Sequence, residues 1–356
     1  MDEISSEDKP PNTPGTSCTS KNPSTFTSSS LVYPAQGCSL CFQGAKMVLF
    51  ITGLCERTCW YCPLSQERKG KDRIYANEHE ISSPREMLIV ADKMSALGTG
   101  VTGGEPFFVR DRLIEYTRAL KETYGAVHQI HLYSGIAPTK EDLEAIVGLV
   151  DEIRLHPPYE LWNDIHHTAY AESVRCAREL GFHIGFEVPS IPGLEKLASF
   201  LPMLDFLNVN ELEWGDTNAD AMRSSGYEFS GTSSNAVLVD LTAAQELLQE
   251  KKVHWCSSSF KDSIQLRKRL LRIAEKTARP FDEITEDGTI VYGVIEGAID
   301  ITSVLDLEAD MYAQYDDRVE LAGWILEETA SEFAEFNPHI IERYPDQGHI
   351  LEMIPL

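Results

Sequence analysis

Between residues 46 and 212 the sequence alternates six times between an apolar, β-prone run and a segment with the helical spacing of apolar residues. This alternation is typical of parallel strands joined by right-handed helical crossovers. Polar residues stand at the end of nearly every predicted strand, which favours a barrel because barrel enzymes carry functional residues there. We therefore predict an α/β fold, a partial (β/α)6 TIM-like barrel. The predicted strands are 46–52, 99–102, 127–133, 152–156, 182–188 and 205–212, and the helices between them are 83–97, 110–124, 140–149, 169–180 and 194–204.

The regions on either side of this alternation differ in composition. Residues 1–30 are rich in Ser, Thr and Pro and contain few large apolar residues. We predict a disordered tail there, because such a segment cannot bury enough surface to offset the loss of chain entropy. Residues 31–215 would form the barrel domain with a cysteine-containing lead-in. Residues 236–356 would form a smaller C-terminal α+β extension.

The formal net charge of −25 argues against general electrostatic binding to nucleic acid. One region is basic although the chain as a whole is acidic: residues 251–279 contain nine Lys and Arg but only two acidic residues. The sequence has no apolar run long enough to span a bilayer, and its N-terminus lacks a basic segment followed by an apolar one. We therefore expect a cytoplasmic protein with no membrane-spanning segment.

Five of the eight cysteines lie between residues 38 and 62, which favours metal ligation over disulfide cross-linking. Cys55, Cys59 and Cys62 form a C-x3-C-x2-C motif after the first predicted strand. Iron–sulfur clusters normally take four cysteine ligands, so three thiolates would leave one iron of a [4Fe–4S] cluster open for chemistry. A zinc site completed by Cys38 or Cys41 is the alternative.

A second motif, Gly103-Gly104-Glu105-Pro106, follows the second predicted strand. Together with the three cysteines, the aromatic Tyr61 before the last of them and the six-fold βα organisation, it resembles the radical S-adenosylmethionine (SAM) enzymes. Among these, the pyruvate formate-lyase activating enzymes are the most similar. The resemblance covers roughly residues 44–215.

The resemblance implies a function for each motif. The three thiolates would hold three irons, and the amino and carboxylate groups of SAM would chelate the fourth. The backbone of Gly103, Gly104 and Glu105 would lie along the SAM amino group, where glycine permits a close approach. One electron from a low-potential ferredoxin or flavodoxin would cleave SAM into methionine and a 5′-deoxyadenosyl radical, which abstracts a hydrogen atom from the substrate. The implied cofactors are a [4Fe–4S] cluster and SAM.

Polar residues at later strand ends are further candidates for contacts with the cofactor. By the resemblance, Ser134 and Glu187 stand where the SAM ribose or methionine is contacted, and Asn210 would reach the adenine or the substrate. Tyr61 belongs to the same set of candidates. For the three strand-end residues, hydrogen bonding within the protein is an open alternative.

Cys38 and Cys41 are separated by two residues, a spacing common in half-sites for zinc or iron–sulfur clusters. With Cys256 they would form an auxiliary metal site. The extra clusters of similar enzymes usually lie near the C-terminus and use several cysteines, so this arrangement departs from their pattern. Buried free thiols are the alternative.

The motifs leave the substrate unidentified, and three functions stay open. An activase-like enzyme would abstract hydrogen from a glycine of a partner protein. A modifying enzyme would act on RNA or on a phosphorylated metabolite, and residues 251–279 would bind that anionic substrate. A non-enzymatic, metal-binding interaction protein is the third possibility.

Overall fold

The computed structural model describes residues 34–230, 235–346 and 348–356. The predicted disordered tail at 1–30 lies outside these ranges. The chain forms two compact units: the first ends at Ile264, and the second consists of Gln265–Leu356 with the short segments Gln43–Ala45 and Ala91–Ser95. The first unit therefore continues past residue 215, where the sequence pattern placed the end of the barrel domain.

The first unit is built on one nine-stranded sheet. Its strands are β1 (Lys46–Phe50), β2 (Ile74–Ala76), β3 (His79–Ile81), β4 (Gly98–Thr102), β5 (Gln129–Ser134), β6 (Glu152–Leu155), β7 (His183–Pro189), β8 (Phe206–Asn210) and β9 (Val253–Cys256). β1 and β4 to β9 are parallel and lie side by side in sequence order. β2 and β3 form a hairpin on the other side of β1. All six predicted strands are present, and the α/β class with a parallel sheet is confirmed.

The sheet differs from the prediction in two respects. β9 is a seventh parallel strand, which pairs with β8. The sequence pattern missed it because β9 is short and lies far along the chain from β8. Within the described ranges, the outer strands β3 and β9 do not pair with each other, so the sheet is not closed into a barrel. The seven parallel strands follow one another in sequence order without a reversal, unlike the parallel strands of a doubly wound sheet.

In the described part of the first unit, one helix precedes β1, and the others lie between successive parallel strands. These helices are α1 (Gln36–Phe42), α2 (Pro84–Lys93), α3 (Arg110–Tyr124), α4 (Lys140–Ala145), α5 (Ala169–Glu179), α6 (Ala219–Ser224) and α7 (Gln245–Leu248). The predicted start of α4 is confirmed, since Thr139 caps it and forms a capping box with Asp142. The predicted helix at 194–204 is instead two 3₁₀ turns, Leu194–Leu197 and Leu201–Met203. Pro202 explains the break, because it lacks the amide hydrogen that a continuous helix needs.

The second unit contains an antiparallel sheet in the order β12-β13-β11-β14-β15, with β10 paired to β11. Its elements are α8 (Leu266–Thr277), β10 (Glu283–Ile284), β11 (Ile290–Glu296), β12 (Tyr312–Gln314), β13 (Arg318–Leu321), α9 (Gly323–Thr329), β14 (His339–Arg343) and β15 (Ile350–Pro355). α9 packs closely on β11, where a Cβ added to Gly293 would lie 2.8 Å from Leu326. The strand predicted around 312–321 is two strands, β12 and β13, that pair with each other.

Candidate active site

The loop that carries the three cysteines follows β1, at the edge of the sheet where the parallel strands end. The Gly103–Glu105 segment lies directly against the start of this loop. The amide of Gly104 donates to the carbonyl of Thr52, and the amide of Glu105 donates to the carbonyl of Leu54, both at 2.7 Å. The structure thus joins the two predicted motifs by backbone hydrogen bonds.

Close packing explains the two glycines of the second motif. A Cβ on Gly103 would lie 2.3 Å from the carbonyl oxygen of Thr52, and one on Gly104 would lie 2.2 Å from that of Leu54. Gly103 also has a φ of 154°, which side chains rarely adopt. Glycine is therefore required here by the protein's own cysteine loop.

The three cysteines of the loop are free thiols. Cys55 is exposed, whereas Cys59 and Cys62 are half-buried. Each is electrostatically coupled to the next along the loop. Burial raises the pKa of Cys55 and of Cys59, and the positive charge of Arg57 opposes this shift in both thiols.

Soft thiolate sulfur is the ligand type that iron–sulfur clusters take, so the donor chemistry of this loop fits such a cluster. Three donors within one loop also leave an open position for a further ligand. In the part of the chain that the structure describes, no three His, Cys, Asp or Glu side chains are already arranged around a metal position. The fit therefore rests on the donor set and its place at the strand ends.

A cavity of about 220 Å³ lies beside the cysteine loop. The loop forms one wall, and residues that follow β6 form the other. Its lining residues are Glu56, Arg57, Thr58, Cys59, Trp60, Tyr61, Pro158, Tyr159 and Glu160. The loop thus encloses space next to one of its thiols.

Glu105 uses its side chain to tie the end of β4 to the end of β5. The carboxylate is buried and accepts hydrogen bonds from the amides of Gly135 (2.7 Å), Ile136 (3.1 Å) and Phe107 (3.1 Å), and from the hydroxyl of Ser134 (3.1 Å). Burial raises its pKa, although these bonds oppose the shift. The structure brings the predicted residues Glu105 and Ser134 together, as partners of each other.

Tyr61 belongs to a short hydrogen-bond chain. The Nδ1 atom of His156 lies 2.7 Å from the carbonyl oxygen of Glu187, which can only accept, so Nδ1 carries the hydrogen. Nε2 of His156 then accepts from the hydroxyl of Tyr61, also at 2.7 Å. Burial lowers the pKa of His156 to about 4, and Arg57 adds to the shift, so the ring is neutral at pH 7.

Glu187 and Asn210 are also joined to each other. The buried carboxylate of Glu187 accepts from Asn210 (2.8 Å), Asn208 (3.1 Å) and Arg154 (2.7 Å). Although burial disfavours its charge, Arg154 and the two amides hold the pKa of Glu187 below its ordinary value. Asn210 is half-buried at the end of β8. Both candidates thus have partners within the protein, and their contact with a cofactor stays a prediction.

The three cysteines of the predicted auxiliary site lie in one region of the first unit. Cys38 and Cys41 are buried on α1, and the thiol of Cys38 accepts from Arg154 (3.5 Å) and Asn208 (3.4 Å). Cys256 ends β9 and is electrostatically coupled to both of them. Burial raises the pKa of Cys256 to about 12. A metal at this position stays a prediction.

The basic region at 251–279 is largely engaged with the protein's own oxygens. The partners are carbonyl and carboxylate groups. The pairs include Lys252 with Leu204, Lys261 with Glu213, Arg267 with Glu286, Arg272 with Met94 and Arg279 with Asp282. These contacts favour a structural role for the basic residues.

A protein of Methanocaldococcus jannaschii, named as a candidate glycyl-radical enzyme activating enzyme, is 32% identical to this chain over 348 residues, spanning 90% of the chain and 92% of that protein. The chain belongs to the radical SAM enzymes. The resemblance predicted from the cysteine and glycine motifs is thereby confirmed. The alternative of a non-enzymatic interaction protein is wrong, because the chain is a member of an enzyme family.

Two solved structures are also similar, at low identity. One is the radical SAM methyltransferase TsrM of Kitasatospora setae with cobalamin and a [4Fe–4S] cluster bound, which is 12% identical with a TM-score of 0.35 and matches over 56% of this chain and 44% of that chain. The other is SuiB of Streptococcus suis, which is 10% identical with a TM-score of 0.38 and matches over 68% of this chain and 54% of that chain. This radical SAM chain therefore spans about half the length of either. A family model described as a domain of unknown function (DUF8061) matches residues 288–356. The family assignment rests on the Methanocaldococcus relative.

The cofactors predicted for this radical SAM chain, a [4Fe–4S] cluster and SAM, are those of its family. Among the helices of the described ranges, none is both long and apolar enough to cross a membrane.

Arg57 is a residue of the candidate site that the sequence did not predict. It lies between Cys55 and Cys59, and its guanidinium donates to the carbonyls of Gly135 (2.7 Å) and His156. Gly135 follows β5 and His156 follows β6, so Arg57 reaches across two strand ends. The signal was a cation placed between two thiols of one motif.

Proposed function

We propose that this radical SAM enzyme reductively cleaves SAM at a [4Fe–4S] cluster held by Cys55, Cys59 and Cys62, and that the product radical abstracts hydrogen from a glycine of a partner protein. The observation that carries the proposal is the pair of 2.7 Å backbone bonds that join the cysteine loop to Gly104 and Glu105. These bonds hold the cysteine loop against the segment that follows β4, which supports a SAM seat beside the three thiols. We also propose that the sequentially ordered parallel strands form the family's partial barrel.

The proposed cofactor set assigns a task to each part of the site. The three thiolates would bind three irons, and SAM would bind the fourth through its amino and carboxylate groups. When bound and reduced, the cluster supplies the electron that splits SAM into methionine and a 5′-deoxyadenosyl radical. The electron would come from a ferredoxin or flavodoxin, since this chemistry needs a cluster of low potential.

The chain's own side chains would hold the SAM seat in shape. The carboxylate of Glu105 fixes the backbone after β5 through the amides of Gly135 and Ile136. Tyr61 and His156 connect the last turn of the cysteine loop to the end of β7. A seat built from fixed strand ends restricts the orientation of SAM, which is the contribution that a protein makes to such chemistry.

Three observations support a protein substrate over RNA or a phosphorylated metabolite. The Methanocaldococcus relative is named as an activating enzyme of glycyl-radical enzymes. The basic region at 251–279, which an anionic substrate would need, has intramolecular partners such as Glu213 for Lys261, at 2.8 Å. The net charge of −25 also opposes the approach of a polyanion.

The test is anaerobic reconstitution with iron and sulfide, followed by dithionite and SAM, with 5′-deoxyadenosine measured as product. We expect SAM cleavage by the native chain and by Cys176→Ala, whose cysteine lies on α5. Cys59→Ala should lose both cluster iron and product. An intact cluster without 5′-deoxyadenosine would refute the proposed reaction, and full cleavage by Cys59→Ala would refute the ligand assignment.

The substrate class is tested by electron paramagnetic resonance after incubation with candidate glycyl-radical enzymes from the same genome. A glycine-centred signal that depends on SAM and on Cys59 supports the activase function. Salt-sensitive binding of RNA with no such signal would instead favour nucleic-acid modification.

A further inference from the structure

Arg57 lies within the cysteine loop itself, and its positive charge faces two thiols of that loop. Its guanidinium is half-buried and donates to the carbonyl oxygens of Gly135 and His156. No carboxylate lies within 4.0 Å of it among the residues that the structure describes. The groups that interact electrostatically with it include the thiols of Cys59 and Cys55, the hydroxyls of Tyr61 and Tyr170, and the ring of His156.

The surrounding contacts fix this charge in place. Gly135 binds two charged side chains at once: its carbonyl accepts from Arg57, and its amide donates to the buried carboxylate of Glu105. The hydroxyl of Tyr170 donates to the same carbonyl. A Cβ on Gly135 would lie only 3.2 Å from Nη1 of Arg57, so glycine permits the approach. The guanidinium therefore has little freedom to turn towards solvent.

The backbone of Arg57 contacts the ligand set as well. Its amide lies 3.4 Å from the sulfur of Cys55 and donates to it. Hydrogen bonds to cluster sulfurs and the net charge around a cluster are two of the factors that set its reduction potential. A cation favours the reduced state, because reduction adds one negative charge to the cluster and its thiolates.

We propose that Arg57 is a positioning residue that anchors the cysteine loop to the ends of β5 and β6 and raises the reduction potential of the cluster by its fixed positive charge. This inference rests on the proposed function, since it assumes a [4Fe–4S] cluster on the three cysteines. The charge of Arg57 would be one of the factors that set how readily the cluster accepts an electron. The one-electron step takes the cluster from the 2+ to the 1+ state, with the electron supplied by the external donor.

The experiment compares the native chain with Arg57→Gln, Arg57→Lys and Arg175→Gln, all as full-length reconstituted protein. Arg175 pairs with the exposed Glu172 on α5 and serves as the matched control for loss of an arginine charge. The cluster's midpoint potential is measured by dithionite titration with mediators in the absence of SAM, followed by electron paramagnetic resonance of the reduced cluster. Iron and sulfide are counted in each variant.

We expect Arg57→Gln to shift the midpoint potential to more negative values, while Arg57→Lys and Arg175→Gln stay near the native value. A native potential in an iron-loaded Arg57→Gln variant would overturn the proposal. If Arg57→Gln holds no iron, the Arg57→Lys variant provides the test. An Arg57→Lys variant that holds a cluster at the native midpoint potential supports the proposal, and one whose potential is more negative, or that holds no cluster, overturns it. The proposed function fails separately, if the native chain forms a cluster but yields no 5′-deoxyadenosine from SAM.

Discussion

Gly104→Ala tests the contact that joins the cysteine loop to the second motif. A methyl group at this position would lie 2.2 Å from the carbonyl oxygen of Leu54, whereas ordinary contact begins at 3.4 Å. The two backbone segments must therefore separate by about 1.2 Å. At that separation the bonds from Gly104 to Thr52 and from Glu105 to Leu54, now 2.7 Å each, are longer than a hydrogen bond.

The cost follows from the two lost bonds. Each leaves a donor and an acceptor unsatisfied, at about 1–3 kcal/mol. We expect the free energy of unfolding to fall by roughly 2–6 kcal/mol, which is a large part of the total of about 5–15 kcal/mol that is typical of a folded protein. A shift of about 1 Å can lower the rate of a positioned reaction by about 100-fold, so SAM cleavage should fall by a similar factor.

Urea unfolding of the metal-free chain measures the first effect, and the rate of 5′-deoxyadenosine formation by the reconstituted enzyme measures the second. Gly323→Ala is the control, because a Cβ at Gly323 would meet its nearest neighbour at an ordinary 3.7 Å. It should unfold and react like the native chain. The packing argument is refuted if Gly104→Ala unfolds at the native urea concentration and cleaves SAM at the native rate.

Three further predictions follow from buried polar groups. Arg154→Met removes the cation that pairs with the buried carboxylates of Glu152 and Glu187, and it should lower the free energy of unfolding by about 3–5 kcal/mol in the urea assay. In the same assay, loss of the exposed Arg175 should cost less than about 1 kcal/mol. Tyr61→Phe removes the donor to His156 and should destabilise the chain by about 1–3 kcal/mol, so an unchanged urea midpoint would contradict the hydrogen-bond chain. His156 has a pKa of about 4 in the folded chain against an ordinary 6.5, so the unfolded state binds more protons between these values. Stability present above pH 6.5 should therefore be lost as the pH falls towards 4, and His156→Gln should weaken this dependence in unfolding scans at several pH values.

The six predicted strands were found because each is a short β-prone segment between helical patterns, and this alternation is typical of parallel strands joined by crossovers. β9 was missed because its four residues, Val253–Cys256, lie far along the chain from β8 and are only half-buried. The helix predicted at 194–204 was wrong because Pro202 interrupts a segment whose apolar residues have helical spacing. Local patterns predicted the elements well where hydrophobic burial alone decides them.

In the candidate site, too, some features could be predicted from the sequence and others could not. The cysteine motif and its position after β1 follow from the sequence, because ligands within one loop are connected by a short stretch of chain. The partners of Glu105, Glu187 and Arg57 could not be predicted, since they depend on which strand ends become neighbours. Arg57 and its acceptor at His156 are 99 residues apart in sequence.

The sequence by itself determined the chemistry of this protein: three thiols at a fixed spacing, and two glycines that permit a close approach. The tertiary structure decided how these groups are used. It places the glycines against the cysteine loop, pairs Glu105 with Ser134, and sets the charge of Arg57 beside the thiols. The physical reason is that donor type is a property of single residues, whereas hydrogen-bond partners and local charge arise only when distant strands pack side by side.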